Sequence, residues 1–420
     1  MVEPRRRPVI ALVPAPAAAR APADTAVPRP AAGRVQPPLG LYIHIPWCVR
    51  KCPYCDFNSH AAADPHAIAE ADYLAALQAD LESTLPQVWG RTVHSVFIGG
   101  GTPSLLSGSA VERLLSGVRA CLPLSTDCEI TLEANPGTFE AGRYADYRAA
   151  GVNRLSIGIQ SFDDAKLAAL GRVHDGAQAR RAVEAALRVF DNLNLDLMIG
   201  LPGQSAADAA RDIDQALQFA PPHLSLYQLT LEPNTVFHKY PPSLPDEDTL
   251  AAIQALVEER VAARGYANYE VSAFCQAGRE SRHNLNYWTF GDYLGIGAGA
   301  HGKLSLPDGF VRTERFRLPD SYLANAARGC FVASERRLTS ADLRFEFMLN
   351  ALRLSAGFDP GLFAARTGLP LGSLHAGLQR AQQRGLIEFA SDRIRPTALG
   401  RRFLNDLQAI FLDEDENPPA

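Results

Sequence analysis

Three cysteines, Cys48, Cys52 and Cys55, fall within eight residues of the string HIPWCVRKCPYCDF. Thiolates are soft ligands, so a C-x-x-x-C-x-x-C spacing on a short loop is first of all a metal-binding arrangement. Tetrahedral zinc needs four ligands, commonly as two paired knuckles, and no matching second pair follows; a structural zinc site is the lesser reading. Three thiolates in one tight loop suit a four-iron, four-sulfur (4Fe-4S) cube that leaves one iron open to an external ligand. Arg50 and Lys51 stand in the same loop, where positive charge favours thiolate over thiol, although solvated loop charges would look the same.

Further along, FIGGGTPS (97–104) brings Gly100, Gly101 and Thr102 to the end of an apolar run. Positions without a side chain let backbone N–H and C=O groups touch a small zwitterion, though a glycine run alone is equally a tight turn. Glu133 and Gln160 close two later apolar runs in the same way.

The elements that must position these residues are short β-rich runs at 39–45, 93–99, 128–134, 152–160, 193–200 and 223–231, each followed by a turn and an Ala/Leu-rich helical stretch. In the first such stretch Leu74, Leu77, Leu81 and Leu85 recur at steps of three and four, one apolar stripe. Six βα units imply an α/β fold with a parallel sheet. The polar residues gather where the runs end, and in a barrel those ends share one mouth. A partial (β/α)6 TIM-like barrel is therefore expected over a doubly wound sheet.

The chain of 420 residues is 47% hydrophobic and 21% charged, ordinary for a globular protein. No apolar run is long enough to span a bilayer. The 41 basic and 46 acidic side chains give a net charge of −5, with no global field for nucleic acid, so no nucleic-acid partner is expected. Seven cysteines, an odd number, make a poor disulfide framework, and the expected location is the cytoplasm, free or in association with a membrane, with no transmembrane segment.

The cysteine spacing followed by the glycine segment resembles the radical S-adenosylmethionine (SAM) superfamily. That resemblance implies a 4Fe-4S cluster on Cys48, Cys52 and Cys55, with SAM chelating the open iron and its methionine end at Gly100, Gly101 and Thr102. LEANPGT (132–138), RLSIGIQSFDDAKLAALGRVHD (154–175) and DLMIGLPGQ (196–204) narrow the likeness to the branch holding oxygen-independent coproporphyrinogen III oxidase (HemN) and the HemW haem chaperones. It covers residues 39 to about 410. On it, Tyr42, Tyr54, Gly100, Gly101, Thr102, Glu133, Gln160, Arg172 and Asp196 fall on SAM positions, with Glu133 accepting from ribose hydroxyls.

Two departures separate the relatives. The oxidase type resembles C-x-x-x-C-x-x-C-x-C, and the last of those cysteines is Phe57 here. Its structured N-terminal extension is replaced by an Ala/Pro-rich stretch. SRHNLNYW (281–288) resembles an HNxxYW motif associated with haem in the chaperone group, which points to His283, Asn284, Tyr287 and Trp288 as haem-binding, with His301 and Cys275 as rival ligands. The implied task is to hold haem and pass it to a membrane-bound haemoprotein, not oxidative decarboxylation of coproporphyrinogen III, which is the alternative. Whether SAM is cleaved is left open; cleavage would need an electron donor such as a flavodoxin.

The expected divisions are an unfolded Ala/Pro-rich tail at 1–38, the radical SAM partial barrel at 39–265, a haem-associated, barrel-closing segment at 266–335, and a winged-helix-like α+β domain at 336–412. An acidic tail follows at 413–420. Residues 336–420 carry eleven Arg, no Lys and ten acidic side chains, which argues against a DNA reader and for packing beside the barrel mouth.

Overall fold

The computed structural model describes residues 36–62, 68–137, 142–390 and 392–412. Most of the expected N-terminal tail and all of the acidic C-terminal one lie outside them. All six expected strands are present: β1 (Leu39–Ile45), β4 (Val93–Gly100), β5 (Leu124–Ala134), β6 (Arg154–Gln160), β7 (Leu193–Ile199) and β8 (His223–Gln228), with a short pair, β2 (Trp47–Cys48) and β3 (His60–Ala61), around the cysteine loop. They lie in chain order and in parallel, β1-β4-β5-β6-β7-β8.

Successive side chains on a strand face opposite ways. Val96, Ile98, Leu132, Leu155, Ile157, Leu195 and Leu197 point outward and join one large apolar core beneath the helices. Their alternates Phe97, Glu133, Arg154, Ser156, Gly158 and Asp196 point inward and line a lumen. The helix Glu70–Val88 packs by the expected stripe, although Tyr73 and Asp80 are buried on the same face.

Segment 266–335 lengthens the sheet at both ends and does not seal one end to the other. β9 (Ala267–Glu270) and β10 (Ala273–Cys275) add antiparallel beyond β8. β11 (Asp292–Ile296) adds a seventh parallel strand on the far side of β1, and β12 (His301–Leu306), β13 (Gly309–Arg315) and β14 (Val332–Arg337) continue antiparallel from there. The twelve strands form an open row ending in β14 and β9. Two buried polar clusters fasten this segment. Asp292 receives Arg91 at 2.8 Å and Lys303 at 3.2 Å, and Asp80 receives Arg315 and the Tyr322 hydroxyl at 2.8 Å.

The C-terminal part has its own apolar core, which Phe290 and Phe310 extend into the preceding segment. Helices Ser340–Ala351, Pro360–Thr367 and His375–Gln383 are followed by the hairpin β15 (Ile387–Ala390) and β16 (Arg393–Pro396), the three-helix and wing pattern expected. The closing helix is two short ones, Ala398–Arg402 and Leu404–Ala409. The domain bridges the two flanks of the open sheet: Glu346 meets Arg312 on β13 at 2.6 Å, and Ser355 bonds the Tyr269 carbonyl on β9 at 3.0 Å. None of its residues lines the cavity at the mouth, so its expected place beside the mouth is corrected to one across the gap in the sheet.

Candidate functional site

At the C-terminal ends of β4 to β8 the lumen opens as a cavity of about 370 Å³. The three cysteines line it together with Tyr54, Gly100, Gly101, Thr102, Glu133, Gln160, Arg172, Asp196 and Asn284. Among the described residues no group of three or more His, Cys, Asp or Glu side chains is drawn together as for a single metal ion.

Hydrogen-bonding groups already reach all three sulfurs, the Ser59 hydroxyl lying 3.7 Å from Cys55 Sγ. The Thr102 hydroxyl lies 3.4 Å from Cys48 Sγ, and Arg172 Nη1 lies 3.5 Å from Cys52 Sγ. Such donors suit thiolates that ligate a cluster. Burial raises the Cys48 and Cys55 thiols above their ordinary range, so holding them ionised calls for metal and donors together. Arg172 also grips Asn135 Oδ1 at 2.6 Å and the Gly158 carbonyl at 2.8 Å, which ties the loop after β6 to the cysteine loop.

The glycines serve the loop more directly than a ligand. Gly101 N–H donates to the Ile45 carbonyl at 2.7 Å, and a Cβ there would sit 2.5 Å from the Trp47 carbonyl oxygen. At Gly100, with φ of +115°, a Cβ would meet the His44 ring at 2.5 Å. Gly100 N–H donates to Glu133 Oε2 at 3.2 Å. Burial and then the nearby Asp196 push the Glu133 carboxyl up to about 8. Gln160 holds a left-handed φ of 67°, backbone strain of the kind that collects at ligand sites.

Tyr42 stands beside the cavity without lining it. Its ring stacks on Phe97 at 6.3 Å and its hydroxyl donates to His44 Nδ1 at 2.9 Å. His44 Nε2 in turn donates to the Asn58 carbonyl at 2.8 Å, and burial lowers this imidazole to about 4, so it is neutral. Asn58 Nδ2 reaches the Ala298 and Arg317 carbonyls. These contacts hold the end of the cysteine loop between β1 and the segment after β11.

Deeper in the lumen a polar network crosses four strands. Asp196 accepts from Ser156 at 3.2 Å and Asn194 at 2.8 Å; Asn194 Oδ1 meets His223 at 2.6 Å, and His223 meets the Tyr269 hydroxyl at 2.9 Å. Burial raises Asp196.

The four haem candidates do not converge. They lie on the helix Arg282–Trp288, which enters the lumen from the end opposite the mouth, its start held by Glu129 on β5. Asn284 faces the cavity. His283 is 3% exposed, with Nδ1 on Ser95 at 3.1 Å and Nε2 on the Tyr287 hydroxyl at 3.2 Å. Burial, then the charge on Arg154, lowers it to about 3. Both ring nitrogens are occupied, so an open axial ligand is not what this arrangement offers. Tyr287 packs edge-on against Tyr293, and Trp288 lies under Arg353 of the C-terminal domain at 4.2 Å. Of the rivals, Cys275 is buried in β10, whereas the His301 side chain is 62% exposed beside Glu314.

Sequence reasoning passed over His44, Asn58, Asn135 and Arg154. Asn135 was visible in NPG after a strand. The other three are recognisable only from strand register or from contacts distant in the chain.

The chain matches the radical SAM superfamily over residues 42–216 and the HemN C-terminal domain over 338–403. It is 49% identical to the heme chaperone HemW of Escherichia coli, over 90% of this chain and 99% of that one. It is 35% identical to heme chaperone HemW of Bacillus subtilis, over 89% and 99%. The solved structure of E. coli coproporphyrinogen III oxidase (HemN), described as a radical SAM enzyme, superposes with a TM-score of 0.77 at 23% identity, over 91% of this chain and 92% of that one, and so shares the fold. No helix among the described residues is long and apolar enough to cross a membrane. A triad loop, glycine segment and carboxylate that share one mouth, together with near full-length likeness at this identity, place the chain in the HemW family of the radical SAM superfamily, which implies a 4Fe-4S cluster and SAM.

Proposed function

We propose that this chain is a haem chaperone: it binds haem and passes it to a recipient haemoprotein, membrane-bound in the reading given above, while carrying a 4Fe-4S cluster and SAM. The observation that carries the reading is likeness along nearly the whole chain to proteins named heme chaperone HemW. Phe57, 64% exposed at the cavity rim where the oxidase type has a further cysteine, supports it.

In this reading Cys48, Cys52 and Cys55 supply three thiolates and leave one iron open. Gly100, Gly101 and Thr102 flank the methionine end of SAM, and Glu133 accepts from its ribose. Gln160, Arg172 and Asp196 complete the pocket. The bound cofactor supplies a preference for one arrangement of the mouth, and a flavodoxin-like donor serves only where the cluster is reduced. The protein's own part is to fix the loop through His44, Asn58 and Arg172 and to hold charge in a water-poor lumen. Phe57 lines the cavity, and Val49, Val173, Val236 and Tyr240 are exposed on segments that carry or adjoin the triad loop, apolar surface suited to a macrocycle or a partner.

Anaerobic, cluster-reconstituted protein tests this directly. Haem in one sample should bind stoichiometrically, and coproporphyrinogen III with reductant and SAM in another should yield no protoporphyrinogen. Turnover in the second sample would make the chain the oxidative decarboxylase instead. Iron and sulfide retained in all three single Cys→Ala variants would end the cluster assignment.

A further inference from the structure

Arg154, at the start of β6, is 3% exposed and points into the lumen. Its Nε has no hydrogen-bond partner, and no described carboxylate lies within ion-pair distance of it. A buried guanidinium left unpaired costs several kcal/mol, so it persists where something else supplies the counter-charge. Thr131, its register partner on β5, is fully buried with an unpartnered hydroxyl. Two orphaned groups thus stand side by side on the inner wall.

The carboxylates that sense Arg154 are committed elsewhere: Glu133 faces Gly100, and Asp196 is held by Ser156 and Asn194. Among the lumen's neighbours, His223 and His283 are both lowered by burial and stay neutral. On the floor of the cavity the Arg154 guanidinium is thus left without a directly paired carboxylate, a planar fork matched to one.

We propose that Arg154, with the Thr131 hydroxyl, is the binding site for a carboxylate of a ligand drawn into the lumen. Resting on the reading given above, that group is a propionate of the porphyrin; the methionyl carboxylate of a cofactor molecule has the same chemistry. The price of an unpaired arginine is kept in the empty protein and recovered on binding.

The test uses cluster-reconstituted protein and three probes: iron mesoporphyrin IX, its dimethyl ester, and SAM. Wild type should bind the diacid porphyrin at least tenfold tighter than the diester. Arg154→Met should erase that preference by weakening the diacid alone, and Thr131→Val should do so in part. Both variants should melt no lower than wild type without ligand, because each removes a buried unsatisfied group, which separates lost binding from lost folding. Tenfold weaker SAM binding in Arg154→Met, with porphyrins unaffected, would also support the site and assign the carboxylate to the cofactor. Unchanged affinities for all three probes would overturn the proposal. Wild type that binds neither porphyrin would end the chaperone reading, and the SAM arm would then decide Arg154 alone.

Discussion

Arg315 Nε donates to Asp80 Oδ1 at 3.0 Å, joining residues 235 positions apart with both side chains almost wholly buried. The same carboxylate accepts the Gly297 amide at 3.1 Å and the Tyr322 hydroxyl at 2.8 Å. The first barrel helix, the turn after β11 and the end of β13 are thereby one unit.

Arg315→Met leaves that carboxylate without its cation in the interior. Burial already raises the Asp80 carboxyl above its ordinary range in spite of Arg315. The substitution should cost about 3–5 kcal/mol in urea unfolding at neutral pH. The double variant Asp80→Leu with Arg315→Met should recover a large part. A loss under about 1 kcal/mol for the single variant would show that the pair does not fasten these elements.

Glu133 makes stability pH-dependent. Its carboxyl ionises near 4.5 when unfolded and near 8 when folded. Between those values the native state holds a proton that the unfolded state has lost, so stability falls as pH rises, by up to about 1.4 kcal/mol per unit. Below that window the proton is bound in both states and above it in neither, so this contribution is flat. Glu133→Gln should remove the decline, which melting curves at fixed ionic strength between pH 5 and about 8 would reveal.

Gly101→Ala should disturb the cysteine loop itself. The family likeness places this residue at SAM, a role that by itself would leave the cluster intact on substitution. The Trp47 carbonyl, 2.5 Å from where the new Cβ would stand, is next to Cys48. Iron and sulfide content should fall along with SAM affinity while far-ultraviolet circular dichroism stays close to wild type. Full cluster with weakened SAM alone would restore the simpler role.

His283→Ala should act first on folding. It strands the Ser95 and Tyr287 hydroxyls beneath the lumen, at about 1–3 kcal/mol for each buried group left unsatisfied. The haem spectrum, recorded where the variant is fully folded, should keep its wild-type form. A changed axial-ligand signature would mean that the 282–288 helix rearranges to free the imidazole.

The parallel strands were legible because apolar residues alternate with small or polar ones in LGLYIHI and LNLDLMI, the period of two expected of strands with one face in the core. The triad was legible because its ligands are close in the chain. β11 escaped notice because DYLGI is short and owes its place to pairing with a strand some 250 residues earlier. Arg154 read as the polar start of a strand. Only the alternation of β6 and its register with Thr131 turn that side chain inward. The helix after Ser281 showed its motif but not its destination, since nothing local in SRHNLNYW says that it will fill the base of a barrel.

β1 gains one neighbour, β4, soon after it is made, but its other neighbour is β11, paired from Leu39 opposite Asp292. On the ribosome, LGLYIHI must therefore wait with one bare hydrogen-bonding edge until residue 296 has emerged. An apolar strand left open through most of synthesis is an invitation to pair with a neighbouring nascent chain. Slowing translation beyond β8 should accordingly lower the soluble yield of this protein more than slowing it beyond β14, when that edge is already covered.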